Sequence, residues 1–223
     1  MKKIAILTAM REEAEHIISN YWLNLVKKIN QLEIYENNEF VLALAWIWKI
    51  QASIWASYLY FNYEISHFIN IWIAWSLLWD KASIWDVFLV NKISQHDMYL
   101  PFDGEHLNYA KKEITFENDL NIDFSDLDFG VTKNAYCLTW DQFIDDWEKV
   151  LELANKFKAS VCEMEAFAVW SVVREFWDLK TSFFIKAISD WADNEAKDAH
   201  MWNLDFAMKN SLLVLDKILK KLI

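Results

Sequence analysis

The sequence predicts an α/β domain with a largely buried central sheet, and three observations carry that expectation. Short aliphatic and β-branched runs alternate with helically spaced patterns from end to end, the rhythm of strands covered by helices. The closing stretch repeats Leu204, Met208, Leu212, Leu215, Ile218 and Leu219, a helical stripe that belongs in a core. At 223 residues, 55% of them hydrophobic, the chain can bury one sizeable core and need not split. Residues 1–223 are therefore expected to form a single domain.

The elements follow in order. Met1-Lys2-Lys3 before Ile4 to Met10 has the outline of a signal peptide, but the apolar run is short and Arg11-Glu12-Glu13 ends it without a small-residue cleavage site, so 3–8 reads as a buried strand. A helix is expected at 11–19, with acids suited to its first turn. Strands are expected at 33–35 and 40–45, a helix at 49–60, and strands at 67–71 and 87–92. The span 40–61 is apolar enough to suggest a membrane helix, yet Lys49 and Gln51 interrupt it, so no transmembrane segment is needed. The stretch 94–128 breaks the rhythm with Pro101, Gly104, His96, His106, Asp123, Asp126 and Asp128. Its spacing matches no metal-ligand set, so it reads as a solvated excursion or lid. A strand at 131–138, a helix at 145–157, a strand at 159–163, a helix at 165–176, a strand at 182–188 and a helix at 203–222 complete the series.

Composition adds an anomaly. The chain holds fourteen tryptophans and two glycines, Gly104 and Gly130, where an ordinary domain of this length carries roughly 16 glycines. Tryptophan and glycine together restore the usual count. Trp46/Trp48 and Trp72/Trp75 follow apolar runs at 40–45 and 66–71, where turns into helices would need the positive φ and close approach that glycine permits. A gene whose code reads UGA as glycine, translated with a table that reads it as tryptophan, leaves this signature. Most of the fourteen are therefore expected to mark glycine positions, with Trp22, Trp147 and Trp202 the hardest to assign. UGG codons at 46, 48, 72 and 75 would overturn that reading.

A net charge of −11, from 33 acidic and 22 basic residues with Arg11 and Arg174 the only arginines, argues against a surface that tracks nucleic-acid phosphates. Tryptophans could still act as stacking platforms for single-stranded nucleic acid, a non-enzymatic alternative, but its usual basic groove is missing. Cys137 and Cys162 have neither CxxC spacing nor scaffold density, so a reducing cytoplasm is expected.

Four regions bring reactive residues to predicted strand ends, where α/β sheets place ligands. They are Ala9-Met10-Arg11-Glu12-Glu13; Ala45-Trp46-Ile47-Trp48-Lys49; Asn70-Ile71-Trp72-Ile73-Ala74-Trp75-Ser76-Leu77 with Ser83-Ile84-Trp85-Asp86-Val87; and a C-terminal set. That last set comprises Thr139-Trp140-Asp141-Gln142-Phe143-Ile144, Cys162-Glu163-Met164-Glu165-Ala166 and Ala187-Ile188-Ser189-Asp190-Trp191-Ala192-Asp193. Acids on a first helical turn are commonplace. A carboxylate inside the apolar EMEA segment is less so, because burying it costs several kcal/mol unless it is paired or hydrogen-bonded.

In this order the segments resemble the 5′-methylthioadenosine/S-adenosylhomocysteine nucleosidase family, within the purine nucleoside phosphorylase and hydrolase superfamily. The resemblance runs over nearly the whole chain, and the family pattern asks for glycine at Trp46, Trp48, Trp72, Trp75, Trp85 and Trp140. It implies a nucleoside phosphorylase-like fold, a three-layer α/β/α arrangement around a central mixed β-sheet. The implied reaction is hydrolysis of the N-ribosidic bond of 5′-substituted adenine nucleosides (5′-methylthioadenosine, S-adenosylhomocysteine, 5′-deoxyadenosine), releasing adenine without a metal or organic cofactor. Glu13 matches the acid that activates water, and Asp190 the acid that protonates N7 of the leaving adenine, with Ser189 positioning Asp190. Glu165 matches the carboxylate on the ribose hydroxyls. Phe143 would stack on the purine and the Ile144 backbone read its edge. Met10, Ile47 and Met164 would line the ribose and 5′-substituent, and the Trp75 position would approach the ligand through its backbone. The resemblance also implies a homodimer, in which Pro101 and Phe102, or Phe206, could complete the partner's pocket.

One position departs from the family pattern: Ile73 stands where many such nucleosidases have serine, which bears on the preferred 5′-group more than on the reaction. The rival within the superfamily is a nucleoside phosphorylase. It binds phosphate through arginine, but Arg174 lies in a predicted helix and Trp85 occupies the position before Asp86.

Overall fold

Apolar runs become strands and amphipathic runs become helices in the order β1 (Lys3–Thr8), α1 (Arg11–Tyr21), β2 (Asn24–Ile29), β3 (Leu32–Glu36), β4 (Phe40–Leu44), α2 (Lys49–Asn62), β5 (Ile65–Ser76), β6 (Val87–Gln95), β7 (Glu113–Thr115), β8 (Val131–Thr139), α3 (Trp147–Phe157), β9 (Val161–Glu163), α4 (Ala166–Phe176), β10 (Ser182–Asp190) and α5 (Ala196–Leu222). The computed structural model describes residues 2–78, 81–98, 113–116, 121–143, 146–177, 179–191 and 196–222. Pro101, Phe102, Gly104, His106 and Ile144, all singled out from sequence, lie outside the described residues.

The α/β class and the mixed sheet are as expected. Strand β1 lies parallel between β4 and β5, while β2, β3 and β4 form an antiparallel meander at one end. Side-chain alternation along β1 divides the packing. Ile4 and Ile6 join Ala14 and Ile17 of α1 and Met208 and Leu215 of α5. Ala5 and Leu7 face the opposite way, toward Ala52 and Leu59 of α2 and Val169 and Val173 of α4. Helix α3 covers a third cluster, placing Val150 and Leu153 on Leu138 and Cys162. Each fully buried Leu, Ile or Val of these clusters contributes about 1.5–3 kcal/mol of transfer free energy.

Part of the central mixed sheet closes on itself, which the sequence did not indicate. Strand β10 bonds to β5 along one edge and to β6 along the other, and β6, β8, β9 and β5 continue the pairing. These five strands therefore close a ring, from which β1, β4, β3 and β2 extend. The physical reason is the length of β5: its C-terminal end outlasts β1 and accepts β9 instead.

Three other expectations change. The turn expected after residue 71 does not form, because β5 continues through Trp72 and Trp75 to Ser76. Strand β2, NLVKKI, was not expected; all six residues are exposed, so no buried alternation announces it. Within the stretch expected as an excursion, Glu113–Thr115 pairs with β6, and Ile122 and Phe124 are buried in the core. In the described residues, no helix is long and apolar enough to cross a membrane.

Candidate active site

Strand β5 changes partner along one edge, and the site lies at that change. Strand β1 covers β5 up to the Leu7–Asn70 pair, and β9 begins only at Trp75. Between them the backbone at 71–74 is left without a strand on that edge. Glu13 reaches into the gap: its Oε1 accepts the Ile73 amide at 3.0 Å. Its Oε2 accepts Thr8 Oγ1 at 3.0 Å, the Ala9 amide at 3.1 Å and the Met10 amide at 2.8 Å. The last contact also serves an otherwise orphaned donor at the start of α1. Four donors converging on one carboxyl suit its ionised, acceptor-only form.

A cavity of about 90 Å³ opens beside this gap, walled by Ala9, Met10, Glu13, Ile47, Trp72, Ile73, Ala74, Trp75, Phe143, Glu163, Met164 and Glu165. Seven of the residues singled out from sequence thus meet: Met10, Glu13, Ile47, Trp75, Phe143, Met164 and Glu165. Phe143 stands at the mouth, edge-on to Trp75 with centroids 4.9 Å apart. Ser189 and Asp190 are completely buried and are not in the wall. Asp190 lies one strand over, in register with Trp75, and Ser189 Oγ hydrogen-bonds its Oδ2 at 2.8 Å.

Glu165 precedes α4, and its Oε1 accepts the Trp48 amide at 3.0 Å. Burial, and then repulsion from Glu163, push its carboxyl well above the usual carboxylate range. Sequence reasoning gave no role to Glu163 or Lys186. Glu163 Oε2 accepts the amides of Glu165 (3.1 Å) and Ala166 (2.7 Å), the Trp72 indole (2.9 Å) and Lys186 Nζ (3.3 Å). Its Oε1 accepts Thr139 Oγ1 at 2.5 Å. Lys186 is fully buried and also donates to Asn70 Oδ1 at 2.9 Å. Burial lowers the Lys186 pKa, against the pull of Glu163. The available signal was a lysine inside the apolar run SFFIKAIS, which a buried strand tolerates only with a partner.

The sequence model of the phosphorylase superfamily matches residues 3–220. The chain belongs to that superfamily. Among relatives, the aminodeoxyfutalosine nucleosidase of Helicobacter pylori is 26% identical over 244 residues, spanning 100% of this chain and 98% of its own. A 5′-methylthioadenosine/S-adenosylhomocysteine nucleosidase of Buchnera aphidicola is 27% identical over 231 residues, spanning 99% and 90%. The Neisseria meningitidis nucleosidase of the same name, crystallised with methylthio-immucillin-A, superposes with a TM-score of 0.82 at 21% identity, covering 99% of this chain and 100% of that one. A mutant Helicobacter pylori nucleosidase with 5′-methylthioadenosine in its active site gives 0.80 at 20% identity, covering 99% of both chains. These superpositions show that the chain shares the mixed α/β fold of those nucleosidases.

For a superfamily member the tryptophans sit awkwardly. Of seven described non-glycine residues with positive φ, four are tryptophan: Trp22 (50°), Trp46 (63°), Trp48 (94°) and Trp85 (77°). Two others, Asn30 and Asn134, are of a type that tolerates this region. Trp48, with ψ 145°, lies beside a region that essentially only glycine occupies. Trp22 caps α1 in the left-handed conformation, a place glycine usually takes. Trp72 and Trp75 lie in extended strand and stand in the cavity wall. Among the described residues, the buried indole nitrogens of Trp55, Trp75, Trp140 and Trp170 find no hydrogen-bond partner.

Proposed function

We propose that this superfamily member hydrolyses the N-ribosidic bond of 5′-substituted adenine nucleosides, 5′-methylthioadenosine and S-adenosylhomocysteine first among them, and releases adenine. The observation that carries the reading is the meeting of Glu13 and Glu165 with Phe143 around one cavity at the β5 gap. Cleaving an N-ribosidic bond builds positive charge at C1′, so it needs a base for water, an acid for the departing base and contacts that favour the transition state. In this reading Glu13 takes the proton of the attacking water, held in place by its four donors. Asp190, fixed by Ser189, gives a proton to N7 of adenine, the two-carboxyl logic of glycoside hydrolysis applied to a nitrogen leaving group. Glu165 holds the ribose hydroxyls, and Met10, Ile47 and Met164 surround the ribose and 5′-substituent. Phe143 stacks on the purine, with the Ile144 backbone at its edge. At the Trp75 position the ligand meets backbone.

Hydrolysis is favoured over phosphorolysis by the placement of both arginines. Arg11 is engaged with Glu33 and Tyr35, Arg174 pairs with Glu175, and neither is in the cavity wall. The family names of the relatives support the nucleoside class and leave two candidate 5′-groups, thioether and aminodeoxyfutalosine-like. We further propose one nucleoside phosphorylase-like domain over residues 1–223, acting without metal or organic cofactor as a cytoplasmic homodimer in methionine salvage. The exposed Phe206, 5.1 Å from Trp85, is offered to the partner.

The test is adenine release, followed by chromatography, from 5′-methylthioadenosine, S-adenosylhomocysteine, 5′-deoxyadenosine and aminodeoxyfutalosine, with and without phosphate. Release without phosphate that Glu13→Gln or Asp190→Asn abolishes supports the proposal. Strict phosphate dependence overturns hydrolysis.

A further inference from the structure

Two opposite walls of the cavity are tied together by an ion cluster outside it. Ile47 lies two residues before Lys49 at the start of α2, and Phe143 lies two residues after Asp141 beyond β8. Lys49 Nζ donates to both oxygens of Asp97, at 2.9 and 2.7 Å, and approaches Asp141 Oδ2 at 3.4 Å. The backbone joins in: the Lys49 amide donates to Asp141 Oδ1 at 3.1 Å, and the Asp141 amide donates to Asp97 Oδ2 at 3.1 Å. Three chain segments, following β4, β6 and β8, thus meet on one ammonium. The Lys49 side chain is 17% exposed and that of Asp97 23%, so water screens that pair less than an open surface pair, while Asp141 is 42% exposed.

We propose that Lys49, Asp97 and Asp141 form a latch that sets the separation of Ile47 from Phe143, and so positions the aromatic wall of the pocket. None of the three lines the cavity, so each is a positioning residue. The geometry favours this over a merely stabilising role because two of the five contacts end on the backbone amides of the wall-bearing segments themselves. Breaking the latch releases Phe143 and the turn before α2 together, while Glu13, held by β1 and β5, keeps its place. Binding should weaken and the chemical step should not.

The structural arm of the test is amide hydrogen exchange on the intact protein. In Lys49→Met and Asp97→Asn, peptides covering 45–52 and 139–143 should exchange faster while those of α5 stay unchanged, and Lys49→Arg should restore protection. Lys217→Met, which breaks a pair with Asp126 elsewhere, should leave both latch peptides untouched. Unchanged exchange at both peptides overturns the latch whatever the protein turns over. The kinetic arm rests on the proposed nucleosidase activity. With 5′-methylthioadenosine, in the Trp72→Gly/Trp75→Gly background that opens the pocket, Lys49→Met should raise KM about five- to tenfold with kcat within about twofold, as expected when binding shared by ground and transition states is lost. The double variant Lys49→Met/Asp97→Asn should be no worse than the poorer single, because both cut the same link. A fall in kcat at constant KM, or additive losses, overturns the latch. A protein that stays inert toward nucleosides even with Trp72→Gly/Trp75→Gly refutes the function and leaves the exchange result to judge the latch.

Discussion

Trp48 gives the cleanest test of whether glycine belongs at these tryptophan positions. Its φ of 94° with ψ 145° places Cβ in a conformation that costs a non-glycine residue about 1–3 kcal/mol. The indole is 48% exposed, so removing it forfeits little packing. Glycine brings extra chain entropy to the unfolded state, a loss of about 0.5–1 kcal/mol. Trp48→Gly should therefore gain about 1 kcal/mol, within a range of about 0–2.5, or roughly 2–4 °C in Tm at this chain length. Trp48→Ala keeps the Cβ and should gain nothing, which separates backbone strain from loss of the indole. The pocket gives the second half of the test. Its cavity of about 90 Å³ is far below the roughly 300 Å³ from which ligand pockets start, and Trp72 and Trp75 occupy its wall. Trp72→Gly/Trp75→Gly should open the site and bring adenine release to a chain that otherwise shows little, measured by chromatography of 5′-methylthioadenosine reactions. Trp48→Gly melting no higher than Trp48→Ala, together with equal turnover before and after opening the pocket, would refute the reasoning.

Three further outcomes follow from the charged groups. Burial and Glu163 raise the Glu165 pKa, so the stability tied to its protonated form is full below the ordinary value of 4.5 and is lost as pH rises toward the folded value. Glu165→Gln should flatten that decline in denaturant titrations while lowering kcat/KM several-fold through altered hydrogen bonding to the ribose hydroxyls. Glu33 is held down to about 2 by Lys28 and Tyr35, with Arg11 adding to the pull. Its contribution is present above 4.5 and lost as pH falls from there to about 2, and thermal melts of Glu33→Gln should be flatter across that window than those of the parent. Lys186→Met leaves Glu163 buried without its cation and should cost about 3–5 kcal/mol in urea unfolding. Adding Glu163→Gln should recover part of that loss, and a Lys186→Met protein as stable as the parent would remove the pair from the account of the fold.

Local pattern was legible wherever one face of an element is buried. The six apolar-rich residues of β1 have the bounds their sequence suggests, and the stripe from Leu204 to Leu219 does pack against the sheet. Strand β2 was silent because nothing in it is buried; its place comes from backbone pairing with β3, which leaves no mark on polarity. The meeting of Glu13, Phe143 and Glu165 around one cavity was legible because each falls in an ordered motif near a strand end. Glu163 and Lys186 were harder, since their pairing spans 23 positions and only the closed ring of strands brings them together. The closure itself is a long-range fact about β10 and β5, beyond any window of sequence.

The same gap in the sheet explains both the site and the trouble at Trp72 and Trp75. Had β1 run to the end of β5, its carbonyls would have taken the amides that face this edge, that of Ile73 among them, and Glu13 would have no donor there. Because β1 stops and β9 starts late, a short run of strand backbone faces a cavity instead of a neighbour. Glu13 takes one of its amides, and the remaining edge is open to a ligand. Such an approach needs small side chains, and Ala74 supplies one. Indoles at 72 and 75 fill the approach, and the Trp75 nitrogen is buried with no partner, an arrangement that costs about 1–3 kcal/mol. At Trp48 the backbone angle asks for glycine, and at Trp72 and Trp75 the empty strand position asks for it. Two independent physical demands therefore converge on the same substitution around one pocket, which is why opening that pocket and relaxing that turn are expected to restore a single function.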